Sequence, residues 1–344
     1  MEQLKNKKKY LFLLLLFVVI LIATYYSIFN KDSIKYIISS VKQTNFSYVL
    51  LCFLIVVLYF VLQGIYMKII LSILNKKIKL RKGILYSMVE FYFSGITPSA
   101  LGGQPVQLYY MTKDKVPVRK SYIVLLLATI NFKIILLILG IFVLIFKSNY
   151  VFDYSGIYIF FFILGFIVDI ITTVICYMLI FKQKYIKGII EWFKKIGSKI
   201  KFLKKKTDSI DTNQFLKDYR YEIMQLKSKK RYIFLAFIIT FIQRLLLFSI
   251  AYVVYRSLGF NKLSYFDLVL IQVSVQIAIE ALPLPGGTGL SEKAFQTIFI
   301  TAFGVGFADL AMILTRTFSF YVPLILSGVV LLLVFMIKKR KKLT

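Results

Sequence analysis

Long apolar runs separated by short basic segments make up most of this chain. About 20 apolar residues are needed to cross a hydrocarbon core of about 30 Å, and six runs have roughly that length or more. They are Tyr10 to Ile28, Phe46 to Leu74, Ser121 to Phe146, Tyr154 to Phe181, Tyr232 to Leu258 and Leu310 to Ile337. Basic residues cluster at the ends of these runs, as in cytoplasmic loops. The pattern predicts an all-α, polytopic membrane helix bundle with about six full spans and cytoplasmic N- and C-termini.

Two more apolar segments are interrupted by proline and glycine. Ile84 to Ile96 would form a helix of about 20 Å, too short to cross, and a stretch with Pro98 and a Gly-Gly pair follows it. Phe266 to Leu282 breaks in the same way at a Pro/Gly stretch and resumes through Phe303. The charges of the flanking loops favour two re-entrant helical hairpins entering from opposite faces, for 6 to 8 apparent transmembrane segments. Two polar surface loops are the alternative.

Interrupted segments in both halves of a membrane chain are typical of a transporter site near the bilayer midplane. Gln272, Gln276 and Glu280 are spaced so that they share one face of a helix that ends at the break. Polar groups at this depth face water or the bundle interior. The candidate substrate-binding residues are Glu280, Glu292, Lys293, Gln272, Gln276, Glu90, Gln104, Arg244 and Arg316.

Two predicted helix starts have backbone amides suited to an anion such as a phosphodiester. One has Pro105 at its first helical position, and the other has Thr288 as N-cap. The residues of this backbone anion site are Gly102, Gly103, Gly286, Gly287 and Thr288. In the alternative, the glycines only permit tight turns and the charges pair internally. Those pairs would be Glu292 with Arg316 or Arg244, and Asp309 with Arg316.

The segment 182–231 is the longest polar stretch and is strongly basic. Within it, Ile186, Ile190 and further apolar residues up to Leu203 recur at helical spacing between lysines. This spacing predicts an amphipathic helix on the anionic inner leaflet; a solvated linker is the alternative. We therefore expect a single integral membrane domain, residues 1–344, in which 182–231 is a basic cytoplasmic linker between two halves.

Composition narrows the function. The chain is 59% hydrophobic with a mean hydropathy of +0.78, which excludes the soluble classes. A net charge of +30 at the ends of apolar runs indicates positive-inside topology and anionic phospholipid partners, with no nucleic acid expected. Histidine is absent, Cys52 and Cys176 lie in apolar runs, and no nucleotide-binding loop is present. The sequence therefore predicts no catalytic residues, metal or cofactor, while Asn131, Lys133 and Asp169 are further embedded polar groups.

Two motifs carry a resemblance. The segment Thr97 to Tyr110, with its Pro-Ser-Ala-Leu-Gly-Gly-Gln-Pro-Val-Gln run, and Leu284 to Gly289 followed by Glu292 resemble the lysylphosphatidylglycerol synthase transmembrane region. That family is the membrane half of the bacterial multiple peptide resistance factor. The resemblance implies a bacterial inner-membrane protein that acts on lipids and is linked to resistance to cationic antimicrobial peptides. In full-length relatives a soluble domain transfers lysine to phosphatidylglycerol, and the membrane half flips the product. Because this chain ends at Thr344, that synthase domain is expected to be missing.

Three functions remain open from the sequence. The leading hypothesis is a flippase-like translocase for phospholipid, with lysyl-phosphatidylglycerol as one candidate. The second is a phosphatidylglycerol lysyltransferase, or the membrane subunit or scaffold of a separate synthase protein. The third is a proton-coupled transporter of small solutes.

Overall fold

The computed structural model describes residues 45–97, 100–152, 156–199, 211–280, 299–300 and 302–340. These ranges are almost entirely helical, which confirms the all-α fold. In chain order the helices are α1 (Phe46–Ile73), α2 (Leu80–Gly95), α3 (Gly103–Lys113), α4 (Val118–Phe146), α5 (Asn149–Phe152), α6 (Gly156–Phe181), α7 (Gln183–Lys199), α8 (Thr212–Ser228), α9 (Lys230–Ser257), α10 (Tyr265–Glu280), α11 (Ala308–Arg316) and α12 (Val322–Arg340). A π-helical turn, Thr317–Tyr321, joins α11 to α12.

Five of the six predicted spans are present as helices long and apolar enough to cross a membrane. They are α1, α4, α6, α9 and the continuous helix from α11 through α12. The chain is thus a multi-pass membrane protein. The first predicted span, Tyr10 to Ile28, lies outside the described residues, as does the break from 281 to 298.

The two interrupted segments contain helices too short to cross. Both α2 and α10 have 16 residues, about 24 Å at 1.5 Å per residue. Helix α2 packs on α1, α3 and α12, and α10 packs on α4, α6 and α9. Helix α2 begins at Leu80, four residues before the predicted start. Helix α3 begins at Gly103, so Pro105 is its third residue. The prediction that Pro105 is the first helical residue was wrong by two positions.

The two largest clusters of buried apolar side chains form most of the core. One includes Ile135 of α4 and Phe162 of α6, together with much of α9 and α10. The other includes Ile130 of α4 and Cys176 of α6, and extends to α7 and α8. Along both α4 and α6, one cluster gives way to the other near the middle of the helix. The middle of the bundle is therefore a boundary between two apolar cores.

Two glycines allow the short helices to approach their neighbours closely. A Cβ at Gly165 of α6 would overlap the carbonyl oxygen of Ile277 in α10. A Cβ at Gly83 of α2 would overlap the carbonyl oxygen of Gly64 in α1. Small residues permit such close packing of helices in membranes. Both short helices are thus held against a spanning helix by direct backbone contact.

The basic segment 182–231 contains two helices, α7 and α8. The predicted amphipathic helix is present as α7, but its Ile186 is buried and Ile190 packs on the same cluster. Part of the apolar face therefore packs on protein and is not free to face lipid. Helix α8 was not predicted, although Asp211 caps it by accepting hydrogen bonds from the amides of Asn213 and Gln214. The cytoplasmic location of this segment stays a prediction.

Candidate functional site

A network of charged side chains joins the middles of two spanning helices to the end of α10. Lys133 of α4 donates from Nζ to Asp169 Oδ1 of α6 at 2.6 Å and to Glu280 Oε2 of α10 at 2.5 Å. Gln276 Nε2 donates to the other carboxylate oxygen of Glu280 at 3.0 Å. We call Lys133, Asp169 and Glu280 the central network.

The central network is enclosed on most sides. Asp169 is fully buried and Lys133 is 7% exposed, whereas the side chain of Glu280 is 19% exposed. Apolar residues of the two core clusters flank Lys133 and Asp169 along their own helices. An unpaired charge there would cost several kcal/mol, so the ion pairs are needed to keep these residues in the bundle.

The polar stripe predicted on α10 is present. Helix α10 continues to Glu280, so Gln272, Gln276 and Glu280 lie on one face. Gln272 is buried, and its Oε1 has no hydrogen-bond partner among the described residues. The stripe therefore leads along α10 to the central network and ends with the last residue given for α10, Glu280.

A second charged group, Arg244 of α9, lies beside the central network. Its guanidinium carbon is 3.9 Å from the centre of the Phe132 ring and 5.6 Å from that of Tyr59. Phe132 directly precedes Lys133 on α4. Arg244 also interacts electrostatically with Glu90 of α2, and Ser94 Oγ donates to Glu90 at 2.9 Å. The glutamates of both short helices are thus close to a cation of a spanning helix.

The remaining predicted site residues have different surroundings. Arg316 is buried at the end of α11, and its contacts include the rings of Phe320 and Tyr321 in the π-helical turn. Gln104 is exposed and donates to Thr129 Oγ1 of α4 at 2.7 Å. This hydrogen bond links α3 to α4 and does not involve the central network.

The first half of the predicted backbone anion site lies in the turn before α3. The Gly102 amide donates to Thr97 Oγ1 at 2.9 Å, so this donor already has an acceptor within the turn. Gly103 packs against Ser94 and the backbone of Glu90 so closely that a Cβ would overlap them. The second half of the site lies outside the described residues. Its residues are Gly286, Gly287 and Thr288. The candidate substrate-binding residues Glu292 and Lys293 also lie outside the described residues.

The sequence indicated Lys133 and Asp169 as embedded polar groups but did not assign them to the site. Each is a single charge within an apolar run, the kind of residue that marks pathways in membrane proteins. They are 36 positions apart, and Lys133 is 147 positions from Glu280. Nothing in the sequence pattern paired residues at those separations.

A similar group of charges lies at the start of α4. Arg119 is 3.0 Å from Asp218 and 3.6 Å from Glu222 of α8. We call these three residues the peripheral network. Burial raises the pKa of Glu222 above its usual value, although the positive charges of Arg119 and Lys120 oppose that rise. The peripheral network fastens α8 to the start of α4.

Comparison with known proteins agrees with the sequence motifs. The model of one family, described as the lysylphosphatidylglycerol synthase TM region, matches residues 11–327. Neither the curated proteins nor the solved structures gave a match. The match spans nearly the whole chain, including four of the described spans, the greater part of the fifth, and both short helices with their charged ends. The chain therefore belongs to the lysylphosphatidylglycerol synthase transmembrane-region family.

Proposed function

We propose that this protein is a translocase that moves a phospholipid between the leaflets of the bacterial inner membrane. The observation that carries this proposal is the central network, which brings three charges together in the middle of an apolar bundle. Charged groups at that depth are costly and occur where polar substrates or ions pass. Family membership supports a role in membrane lipid chemistry.

A lipid headgroup carries the polar atoms that such a site would bind. Helix α10 ends at Glu280 before the Pro/Gly stretch, so the headgroup would contact the stripe of Gln272, Gln276 and Glu280. Glu292 and Lys293, beyond the break, would complete the contacts. Glu90 with Arg244, and Arg316, would support the site from α2, α9 and α11. The acyl chains would remain against the apolar outer faces of the spans.

The exposed surfaces of the spanning helices support this arrangement. Large apolar side chains face outward on α1, α4, α6 and α12, and the lipid tails could follow these surfaces while the headgroup crosses inside. The aminoacylated phosphatidylglycerol implied by the resemblance has both a phosphate and ammonium groups. The carboxylates suit the ammonium groups, and the cations suit the phosphate.

The test is leaflet scrambling in proteoliposomes of the purified protein. Fluorescent phosphatidylglycerol would be used with and without a lysyl headgroup, and the lipid that changes leaflet would be measured by surface quenching. We expect the natural protein to move the fluorescent lipid between the leaflets. Glu280→Gln should slow it at least about tenfold, because a charged hydrogen bond contributes about 1.5–3 kcal/mol and 1.4 kcal/mol is tenfold.

A matched control is Asp267→Asn on the same helix. Asp267 pairs with Lys147 at 2.7 Å, outside the central network, so its removal should leave the rate within about twofold. Equal rates for the natural protein and Glu280→Gln would refute the assignment of the site. No movement of either lipid would instead favour a scaffold for a separate synthase.

A further inference from the structure

The central network carries one uncompensated charge. Lys133 supplies one positive charge, while Asp169 and Glu280 together supply two negative charges, and both carboxylates share the same ammonium group. When all three are ionised, one negative charge remains. In apolar surroundings an excess charge is expensive. The network therefore has a physical reason to bind one more positive charge.

The charged groups on neighbouring helices are engaged elsewhere. Arg244 of α9 stacks on Phe132 and interacts with Glu90 of α2. Asp267, the other acidic residue of α10, pairs with Lys147. Among the described residues, neither cation forms an ion pair with the central network.

The uncharged groups nearby do not alter that balance. Cys176 of α6 is within electrostatic range of Lys133, but a thiol is neutral at pH 7. Tyr59 of α1 lies against Arg244, and Gln104 of α3 is bonded to Thr129. Within the part of the chain that the structure describes, the charge of the central network is thus set by its own three side chains.

The two carboxylates differ in access and in bonding. Asp169 is fully buried, and its Oδ2 has no hydrogen-bond partner among the described residues. Glu280 is partly exposed, and its two oxygens accept from Lys133 and Gln276. Glu280 is therefore the more accessible of the two carboxylates, and Oδ2 of Asp169 keeps its capacity to accept a hydrogen bond. The ammonium of Lys133 lies between both carboxylates and links their charge states.

We propose that Lys133, Asp169 and Glu280 form a binding site for one exchangeable proton, and that this proton couples lipid movement to the proton gradient across the membrane. The coupling rests on the proposed translocase function. Binding the proton converts one carboxylate to a carboxylic acid and leaves the network neutral. It weakens the ion pairs that hold α10 to α4 and α6, so the end of α10 can change its packing with the protonation state.

The first experiment measures proton binding without lipid movement. The infrared band of protonated carboxyl groups is titrated in the purified protein. Asp169→Asn and Glu280→Gln should each remove the absorbance of one titrating carboxyl group. Asp267→Asn, the control on α10, should leave the titration of the network unchanged. If both network variants titrate like the natural protein, the proton site is refuted.

The second experiment measures coupling in proteoliposomes. A pH gradient is imposed while a potassium ionophore holds the membrane potential at zero. One proton per lipid should shift the steady-state leaflet ratio of the fluorescent lipid by up to about tenfold for one pH unit. Reversing the pH gradient should reverse the shift. In Asp169→Asn, the lipid movement that remains should give a leaflet ratio that does not shift with the gradient.

The outcomes separate the two proposals. If lipid movement is normal but the leaflet ratio does not change with the pH gradient, the coupling is refuted and the translocase proposal is unaffected. Absence of lipid movement under every gradient refutes the translocase, and the coupling with it, even if the carboxyl groups titrate. A shift that persists unchanged in Asp169→Asn refutes this network as the coupling site. Glu280→Gln keeps a neutral Lys133–Asp169 pair, so it is expected to fold.

Discussion

Two networks in this molecule contain one cation and two carboxylates, and they lie at different depths. In the central network, Lys133 and Asp169 are almost completely buried. In the peripheral network, the side chains of Arg119 and Asp218 are 27% and 35% exposed. Water can reach Arg119 and Asp218 of the peripheral network, whereas Glu222 is as buried as Lys133. The two networks therefore differ in the exposure of their cation and of one carboxylate. The comparison shows that the same set of charges, one cation and two carboxylates, is enclosed in one place and open to water at its cation in another.

The largest effect is expected from Lys133→Met. This change leaves two buried carboxylates without their shared ammonium, and breaking a buried ion pair costs about 3–5 kcal/mol. The thermal midpoint of the detergent-solubilised protein should fall strongly. Adding Glu280→Gln should restore part of the loss, because one of the two orphaned charges is then removed. If Lys133→Met without the second change is as stable as the natural protein, the burial of this network is contradicted.

The next effect concerns the packing that holds α10 in place. In Gly165→Ala the new methyl group would overlap the Ile277 carbonyl oxygen, one turn before Glu280, and overpacking costs about 1–3 kcal/mol. Both stability and lipid movement should decline. The matched control is Gly188→Ala in α7, where a methyl group meets nothing within 4 Å. Equal thermal midpoints for the two variants would argue against the close contact.

A smaller effect is expected from Arg119→Met in the peripheral network. The Arg119–Asp218 pair is partly exposed, and such pairs contribute about 0.2–1 kcal/mol. Glu222 is buried, but Lys120 also interacts with it and remains in the variant. We expect the free energy of unfolding to fall by about 1 kcal/mol or less. Lipid movement should not change at temperatures at which the variant is fully folded. Limited proteolysis near α8 should report the loosening. A loss as large as that of Lys133→Met would remove the distinction between the two networks.

The smallest effect is a pH dependence at Glu222. Its pKa in the folded protein is raised mainly by burial, so the folded state binds this proton more tightly than the unfolded chain, whose pKa is about 4.3. The resulting stability is fully present below that value and is lost as pH rises through the folded pKa. Glu222→Gln should therefore lose less stability than the natural protein as pH rises above about 4, the pKa of the unfolded chain. Parallel thermal midpoints across that range would contradict the raised pKa.

Much of the fold was predictable because hydrophobicity along the chain is a local property. Five predicted spans match helices of the structure, and the short helix before the first Gly/Pro stretch was predicted within four residues. Helix α8 was missed because its apolar residues are sparse in a lysine-rich segment. Its cap at Asp211 was the available signal.

The candidate site was predictable only in part. Glu280 and the glutamine stripe were found from helical spacing on α10. Lys133 and Asp169 were noticed only as isolated polar groups, and Gly102 was assigned to an anion site although its amide bonds to Thr97. Spacing identifies the face of one helix, whereas a turn's internal hydrogen bonds depend on how its residues fold back on each other.

By itself, the sequence determined the membrane location, the spanning helices and the interrupted segments, since these follow from the free energy of transferring each segment between water and lipid. Only the tertiary structure decided which embedded charges meet. Lys133, Asp169 and Glu280 belong to three helices separated by long stretches of chain. Their pairing depends on the rotation and depth of each helix, which are set by close contacts such as that of Gly165 with Ile277.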